Sequence, residues 1–290
     1  MDMNKRKIYY NKKISILVVL YNKELNESKT LNSLLQCKSS SAVSLKILNN
    51  GPREIKAEGE VFQVLTSSFK DVMLESRLEN APLSKLYNEF INSNLDSDYF
   101  IILDDDSRLD EDFILNIYKT DADIIIPRIL SVDDGNFYYP TQNGVVVEHD
   151  GWVDLSSLMS ISSGLTISKK LVFAMLSHYP DVFDERFSLY GVDTSFFLRL
   201  RGIIKSDSYL LLAKCVSLIY HSLSRIQKEN ISQFRVVERL YDFAITARHY
   251  PEYIGRFWLF KRIVKYSILM EFKYAWILFR YYVKGRHPKC

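Results

Sequence analysis

Residues 99–106 read Tyr99-Phe100-Ile101-Ile102-Leu103-Asp104-Asp105-Asp106, an apolar run that ends in three carboxylates. The run is short, lacks polar alternation and is rich in isoleucine and aromatic residues, which is typical of a strand buried on both faces in a parallel sheet. The carboxylates follow the C-terminal end of this strand, where open α/β sheets bind their ligands. Because side chains alternate along a strand, Asp104 and Asp106 are predicted on one side and Asp105 on the other. Two converging carboxylates favour a divalent cation between them, and the alternative is a solvated acidic turn.

Strand and helix patterns alternate along the rest of the chain. Apolar runs predict further strands at 14–20, 43–48, 61–65, 122–127, 161–167 and 215–220. Helical periodicity predicts helices at 31–35, 82–94, 110–119 and 193–201, the last ending at Gly202. Strands separated by helical segments of about 10–15 residues indicate βαβ units. The chain is therefore predicted to be an α/β protein with a mostly parallel sheet flanked by helices.

The charge is divided unevenly between two parts of the chain. Residues 1–223 hold 24 Lys+Arg and 30 Asp+Glu, whereas residues 224–290 hold 14 Lys+Arg and 5 Asp+Glu. The second part is helical by pattern, with a break at Tyr250-Pro251. This division predicts a domain at 1–225 and a helical C-terminal appendage at 226–290.

The appendage is rich in aromatic residues that alternate with lysine and arginine. Basic residues beside Trp and Tyr at an apolar boundary suit an anionic membrane surface. The alternative is a helical hairpin that caps the core and leaves its cations in solvent, and both can hold together. Nucleic acid is not expected as a partner, because no recognised binding motif occurs and the remainder of the chain is net acidic.

Cysteine usage and hydropathy bear on the cellular compartment. Cys37, Cys215 and Cys290 are far apart and form no CxxC pair, which predicts reduced thiols in a cytoplasmic protein without a zinc site. The basic N-terminus leads into only seven apolar residues, unlike a signal peptide. No run of about 18 uncharged apolar residues occurs. The expected location is the cytoplasm, with peripheral association at the inner face of the cell membrane.

Two more residues at the ends of predicted elements could carry chemistry. His221 follows the strand at 215–220, so it is expected at the same rim of the sheet as the carboxylates. An imidazole with two carboxylates can bind an octahedral cation, and the alternative is a buried, hydrogen-bonded histidine. Asp193 lies where a helix begins, and its alternative role is that of an N-cap. The sequence lacks the GxxxxGK[ST], GxGxxG, GxSxG and HExxH motifs, which disfavours the common NTPases, dinucleotide oxidoreductases and serine hydrolases.

The order and spacing of these segments resemble the inverting family 2 glycosyltransferases of the GT-A fold. The resemblance covers about residues 13–225 and is strongest to bacterial enzymes that build O-antigen, capsule and rhamnan polysaccharides. Seven segments carry it: strand 14–20 with Tyr21-Asn22; Leu48-Asn49-Asn50-Gly51-Pro52, similar to a V-D-N-G-S turn; helix 83–88; Asp104-Asp105-Asp106, similar to a DxD motif; 163–167 with 183–187; 190–199, similar to an E-D-x-D segment; and His221.

The resemblance implies direct displacement, with inversion, at the anomeric carbon of a nucleotide-diphosphate sugar. It implies Mn²⁺ or Mg²⁺ held by Asp106 and His221, with Asp193 as the base. It also implies a set of residues that contact the donor: Leu20, Tyr21, Asn22, Asn49, Lys85, Asp104 and Asp105. The favoured donors are dTDP-rhamnose and a UDP-hexose, and the implied acceptor is a saccharide, lipid-linked, in cell-surface polysaccharide synthesis.

Departures from the family pattern keep two alternatives open. Asn49 stands where the family usually has an aspartate, and Val192 and Ser195 replace acids that usually flank the base. One alternative is a non-catalytic scaffold subunit of the same fold. The other is a metal-dependent nucleotidyltransferase, for which Tyr21-Asn22-Lys23-Glu24 would be a poor triphosphate loop.

Overall fold

The computed structural model describes residues 12–206, 210–222 and 232–290. Its strands are β1 Ile14–Leu20, β2 Val43–Asn49, β3 Asp71–Ser76, β4 Tyr99–Asp104, β5 Arg108–Leu109, β6 Ile124–Ser131, β7 Phe137–Tyr139, β8 Thr141–Gln142, β9 Val145–Val146, β10 Gly151–Val153, β11 Leu158–Met159, β12 Leu165–Ser168 and β13 Ala213–His221. Its helices are α1 Lys29–Leu34, α2 Glu60–Ser68, α3 Leu83–Ser93, α4 Phe113–Lys119, α5 Lys169–Leu176, α6 Val192–Ser206, α7 Gln233–His249, α8 Arg256–Ile268 and α9 Phe272–Lys284.

A large curled sheet organises the fold. Its strand order is β10-β13-β6-β12-β4-β1-β2-β3, with β5 paired to β13 and β7 paired to β6. The neighbouring strands β3, β2, β1 and β4 are parallel, as the buried apolar runs of β1, β2 and β4 predict, and β13 is parallel to β6. Strand β12 is antiparallel to both its neighbours. Apolar clusters lie on both faces of the sheet, beneath the helices, and the predicted α/β class is confirmed.

The strand register brings the ends of the central strands together. Asp104 at the end of β4 pairs with Val19 of β1, and Leu20 of β1 pairs with Asn49 of β2. His221 is the last residue of β13. A small second sheet, β11-β8-β9, is built from the turn-rich segment that follows β6. The carboxyl edge of the main sheet is therefore the place where polar side chains from distant parts of the sequence meet.

Two predicted elements are wrong. Residues 61–65 form part of helix α2 and not a strand, because Val61 and Leu65 lie four residues apart and pack together on the apolar cluster beneath the sheet. The strand beside β2 is β3, an edge strand whose apolar run, Val72-Met73-Leu74, is only three residues long and was not predicted. Gly202 does not end helix α6, which continues to Ser206. A Cβ at position 202 would lie 2.7 Å from the Tyr179 hydroxyl, so this glycine permits close packing.

The C-terminal helices pack around a cluster of their own. Leu240 and Ala244 of α7, Leu259 of α8, and Leu278 of α9 meet in it. Helix α7 also contacts the main core, through Ile245 on one of its faces. The predicted boundary at 225/226 lies in segment 223–231, outside the described residues. Within the described residues, no helix is long and apolar enough to cross a membrane.

A buried ionic network joins the end of α7 to the loop that precedes α6. Asp184, in the loop before α6, accepts hydrogen bonds from Arg186 Nε at 2.7 Å and from the Tyr250 hydroxyl at 2.6 Å. The guanidinium of Arg199 lies 3.3 Å from the same carboxylate. Burial raises the pKa of Asp184, but the hydrogen bond from Arg186 and the charge of Arg199 outweigh it and lower the pKa. This network fixes α7 against the loop that precedes α6.

Candidate active site

An open cavity of about 1340 Å³ lies at the carboxyl edge of the sheet. Its floor consists of the ends of β1, β4 and β13 with the first turn of α6. Residues of the small sheet, including Thr141 and Met159, and residues Tyr138 and Tyr139 of β7 form one wall. The C-terminal region supplies part of another wall, through α7 and Lys289. A cavity built from polar strand ends and aromatic walls is typical of a small-molecule site.

Three titratable side chains converge on its floor. Potential ligand atoms of Asp104, Asp106 and His221 all lie within 4.8 Å of one another. Asp105 also lines the cavity, but its carboxylate is directed to the loop after β1 and away from the cluster, as strand alternation predicts. Its carboxylate accepts a hydrogen bond of 3.0 Å from the Tyr21 amide and forms an ion pair with Lys23. Asp105 thus fixes the loop after β1, and the other two carboxylates face the imidazole.

Hydroxyl groups hold the turn that carries these carboxylates. The Thr30 hydroxyl donates to the Asp104 carbonyl and accepts a 2.9 Å hydrogen bond from the Ser107 amide. The Ser107 hydroxyl lies 3.0 Å from His221 Nδ1 and 2.6 Å from the Ser163 hydroxyl. Ser107 and Ser163 are fully buried. The turn after β4 and the imidazole at the end of β13 are therefore fixed relative to each other before any ligand arrives.

The electrostatics of the cluster favour an added cation. Burial, together with Asp106 and Asp193, raises the pKa of Asp104 to about 7 against the opposing effect of His221. Burial also raises the pKa of Asp106, but His221 and Lys23 outweigh it and lower the pKa. The pKa of His221 is lowered by burial, yet Asp106 and the other carboxylates raise it above its usual value. The two buried carboxylates repel each other, which a bound cation would relieve, and two carboxylates with an imidazole form a donor set that fits Mn²⁺ or Mg²⁺.

Asp193 faces this cluster from the first turn of α6. It lines the cavity, and its charge acts on both Asp104 and His221. It lies within the helix and not at the N-cap position, since α6 begins at Val192. Gly191 makes the preceding turn possible: its φ is +84°, and a Cβ there would lie 2.4 Å from the Phe187 ring.

Four residues predicted to contact the donor lie elsewhere than on the cavity wall. Leu20 is buried in the core on the far face of the sheet. Asn22 is exposed, and its backbone N–H donates a 2.7 Å hydrogen bond to the Gly51 carbonyl. The side chain of Asn49 is buried in its own turn, where it donates to the Arg53 carbonyl and accepts from the Gly51 amide. Lys85 lies near Cys290 and lowers the pKa of that thiol, while burial raises the pKa to about 11 overall.

Neighbouring residues take these places at the wall. Val19, Lys23 and Asn50 line the cavity together with the predicted Tyr21. Strand alternation explains the shift on β1, since Val19 and Tyr21 share the face opposite to Leu20. Asn50 exchanges two hydrogen bonds with the backbone of Ala81, at 2.8 and 3.0 Å, and so brings the loop before α3 to the cavity. Val19 could have been predicted from the sequence, because strand alternation places it on the same face as Tyr21.

The contribution of the C-terminal region to the wall went unpredicted. Phe234, Arg235 and Glu238 of α7 line the cavity, as does Tyr253 in the turn before α8. Lys289 reaches across to donate a 3.0 Å hydrogen bond to the Asn80 carbonyl. A buried contact fixes this arrangement, because His287 Nε2 lies 3.2 Å from Glu238 Oε1 and both side chains are buried. No local sequence signal places residue 289 beside residue 80.

Comparison with known proteins identifies the fold. No protein-family model matches the sequence, and no curated protein sequence matches it. The structure is similar to residues 1–349 of S. aureus TarS, with a TM-score of 0.54, 13% identity, and coverage of 95% of this chain and 93% of that one. It is also similar to GalNAc-T7 crystallised with UDP, GalNAc and Mn²⁺, with a TM-score of 0.55, 12% identity, and coverage of 96% of this chain and 58% of that one.

Against a longer TarS structure the TM-score is again 0.54 at 13% identity, and the match covers 82% of this chain. The chain spans 40% of that TarS chain and 58% of the GalNAc-T7 chain. Both neighbours are glycosyltransferases of the GT-A fold. At these identities the similarity shows the fold alone, and it confirms the predicted GT-A class.

Proposed function

We propose that the protein is a glycosyltransferase that moves a sugar from a nucleotide-diphosphate donor to a saccharide acceptor, with inversion at the anomeric carbon. The observation that carries the proposal is the convergence of Asp104, Asp106 and His221 at the carboxyl edge of a GT-A sheet, with Asp193 facing them. The GT-A glycosyltransferases with similar structures support it, and one of them was crystallised with UDP and Mn²⁺.

The cluster is proposed to hold Mn²⁺ or Mg²⁺ through Asp106 and His221, with Asp104 beside them. The donor set and the repulsion between its two carboxylates support this assignment. When bound, the ion would supply positive charge to the leaving diphosphate. Ser107 orients the imidazole, and Asp105 keeps the loop of Tyr21 and Lys23 in place at the wall.

Asp193 is proposed to act as the general base. The acceptor hydroxyl oxygen forms a bond to the anomeric carbon while the bond from that carbon to the diphosphate oxygen breaks. The leaving diphosphate takes the electron pair, and the hydroxyl proton passes to the Asp193 carboxylate. Inversion requires the acceptor and the diphosphate on opposite faces of the sugar. The position of Asp193, at the cluster but on a different element, supports this division of roles.

The donor side is proposed at the ends of β1 and β2. Tyr21 and Lys23 provide accessible side chains there, and Asn50 carries the neighbouring loop. Leu20, Asn22 and Asn49 are proposed to shape this wall from behind. The donor is proposed to be dTDP-rhamnose or a UDP-hexose, and the pathway cell-surface polysaccharide synthesis of the O-antigen or capsule type.

The acceptor side is proposed at the other end of the cavity. The aromatic residues Tyr190 and Tyr253 line the cavity and are proposed to contact the acceptor. The acceptor is proposed to be lipid-linked, used at the inner face of the cell membrane. The division at 225/226 is retained as a proposal, in which the sheet half carries the chemistry and the helical half completes the wall.

Thermal unfolding in the presence of nucleotides tests the donor site. UDP, dTDP, GDP and CMP would each be added with Mn²⁺ or with EDTA to the wild type, to Asp106→Ala and to the control Asp96→Ala. A ligand at 100 times its Kd stabilises the fold by about 2.7 kcal/mol. We expect one nucleotide to raise the Tm only with metal, in the wild type and in Asp96→Ala but not in Asp106→Ala. Asp96 is a suitable control because it is an exposed acid far from the cavity.

Turnover tests the base and separates the alternatives. Asp193→Asn should retain the metal-dependent nucleotide shift and lose transfer of sugar to an acceptor. Transfer by Asp193→Asn at the wild-type rate would remove Asp193 as the base. The absence of a shift with every nucleotide would instead favour the non-catalytic scaffold.

A further inference from the structure

The outer side of the C-terminal helices exposes two apolar stripes. Four exposed side chains recur every three or four residues along α8: Phe257, Phe260, Val264 and Ile268. Four more recur in the same way along α9: Phe272, Trp276, Phe279 and Val283. At 3.6 residues per turn, each set lies within about 80° of its helix circumference. The connection between the helices is apolar and exposed as well, at Leu269 and Met270.

These stripes are separate from the packing faces of the helices. Leu259 of α8 and Leu278 of α9 are buried in the cluster shared with α7. In α8, Leu259 is roughly opposite the stripe on the helical wheel, and Leu278 is far from the stripe of α9. The helices are therefore apolar on two sides, and only one of those sides is used within the described chain. Exposed apolar side chains arranged in this way are typical of an interaction site.

Positive charge surrounds the stripes. Between residues 256 and 286 there are eight lysine and arginine residues and a single acid, Glu271, which gives a net charge of +7. On α9 the cations Lys273, Arg280 and Lys284 lie along one side of the stripe, about 80–120° from Phe272 around the helix. Trp258 is covered by the ammonium of Lys261, 5.1 Å from its ring centroid. This is the arrangement of a helix that lies in a bilayer interface, with aromatic side chains among the acyl chains and cations at the headgroups.

We infer that α8 and α9 lie flat on an anionic lipid bilayer, with the two stripes and the 269–270 connection inserted into its surface. Charge complementarity selects this occupant over a second copy of the chain. A symmetric dimer through this face would bring two surfaces of net charge +7 together, which is unfavourable. The docking is independent of the proposed transfer reaction. Tyr253, three residues before α8, lines the cavity, so docking would set the cavity wall close to the lipid headgroups.

Co-sedimentation of the full chain with vesicles tests the inference. We expect binding to vesicles of equal parts phosphatidylcholine and phosphatidylglycerol, and little binding to phosphatidylcholine alone. Replacing Lys261, Lys265 and Lys273 by glutamine should weaken binding about fivefold for each cation, or about a hundredfold in all. Trp276→Ser should weaken it about tenfold, as expected for loss of a buried aromatic ring. Equal binding to both vesicle types would overturn the electrostatic part.

A matched tryptophan separates insertion from a general effect of substitution. Trp152 and Trp276 are similarly exposed, at 61% and 59%, but Trp152 lies on β10, outside the stripes. Trp152→Ser should bind vesicles as the wild type does. In a Trp152→Phe chain only Trp258 and Trp276 remain, and their emission should move to the blue with anionic vesicles. The inference would be overturned if anionic vesicles caused neither a blue shift nor sedimentation. It would also be overturned if the wild type were a dimer and Trp276→Ser a monomer. Nucleotide-induced thermal shifts, unchanged in these variants, would show that their folding and the proposed donor site are intact.

Discussion

Replacement of Asp184 by asparagine should destabilise the fold although it changes no atom of the cavity. The carboxylate is 1% exposed, and the Arg199 guanidinium beside it is 3% exposed. Asparagine has the same shape but no charge, so Arg199 would stay buried with less compensation. Removal of one member of a buried ion pair costs about 3–5 kcal/mol.

Two partners reduce the expected cost to the lower end of that range. Arg199 keeps an ion pair with Asp181, and Arg186 is 36% exposed, so water can solvate it. We therefore expect a loss of about 3 kcal/mol, which corresponds to a fall in Tm of about 6–12 °C at this chain length. The exposed pair of Asp112 with Lys38 provides the control, because Asp112→Asn should cost less than about 1 kcal/mol.

The dependence on pH gives a second measure of the same interaction. The folded pKa of Asp184 is lowered, so its charge stabilises the fold above the unfolded pKa of about 3.9. That contribution is lost as the pH falls through the folded pKa. The Tm difference between wild type and Asp184→Asn should therefore be constant above about pH 4 and shrink below it. An unchanged Tm in Asp184→Asn, or a difference that grows in acid, would refute the reasoning.

Three further predictions concern the cavity. Gly191→Ala should lower both the Tm and the transfer rate, because an added Cβ meets Phe187 at 2.4 Å and the strained φ displaces Asp193. A circular dichroism melt and a turnover assay would measure these two effects, and turnover at the wild-type rate would contradict the prediction. Asp105→Asn should weaken nucleotide binding without abolishing the metal requirement, since it releases the 21–23 loop and leaves the carboxylate cluster intact. Titration calorimetry with and without EDTA would measure the nucleotide Kd and its dependence on metal. Lys289→Ala should raise the Kd for nucleotide, because Lys289 holds the loop at Asn80 that Asn50 brings to the donor side. Titration calorimetry would measure this, and an unchanged nucleotide Kd with a raised KM for acceptor would contradict it.

Features encoded by short apolar runs could be predicted from the sequence. Strands β1 and β4 are continuous buried runs and β13 is buried over most of its length, so their positions and their common carboxyl edge follow from local pattern. The opposite orientations of Asp104 and Asp105 follow from strand alternation in the same way. Such features depend on residues close in sequence, so the α/β class could be predicted from them, whereas the GT-A fold was implied only by the resemblance to family 2 glycosyltransferases.

Features decided by tertiary packing could not be predicted in this way. The run at 61–65 has the composition of a strand, but packing of Val61 and Leu65 on one face makes it a helix. Asn49 and Asn50 are chemically equivalent neighbours, and only the path of the turn directs one inward and the other to the cavity. The wall residues of α7 are more than 100 positions away from the carboxylates, so their proximity depends on long-range docking.

The contact of Lys289 with the loop at Asn80 also determines when the cavity is completed during protein synthesis. The floor of the cavity draws on residues as early as Val19, and the strands that form it are complete once His221 has been made. The wall nevertheless requires position 289, which must leave the ribosome and then dock on the loop at Asn80. A nascent chain can thus have a folded sheet and an assembled carboxylate cluster while its cavity is still open on one side. The site becomes complete only after translation has passed the last helix.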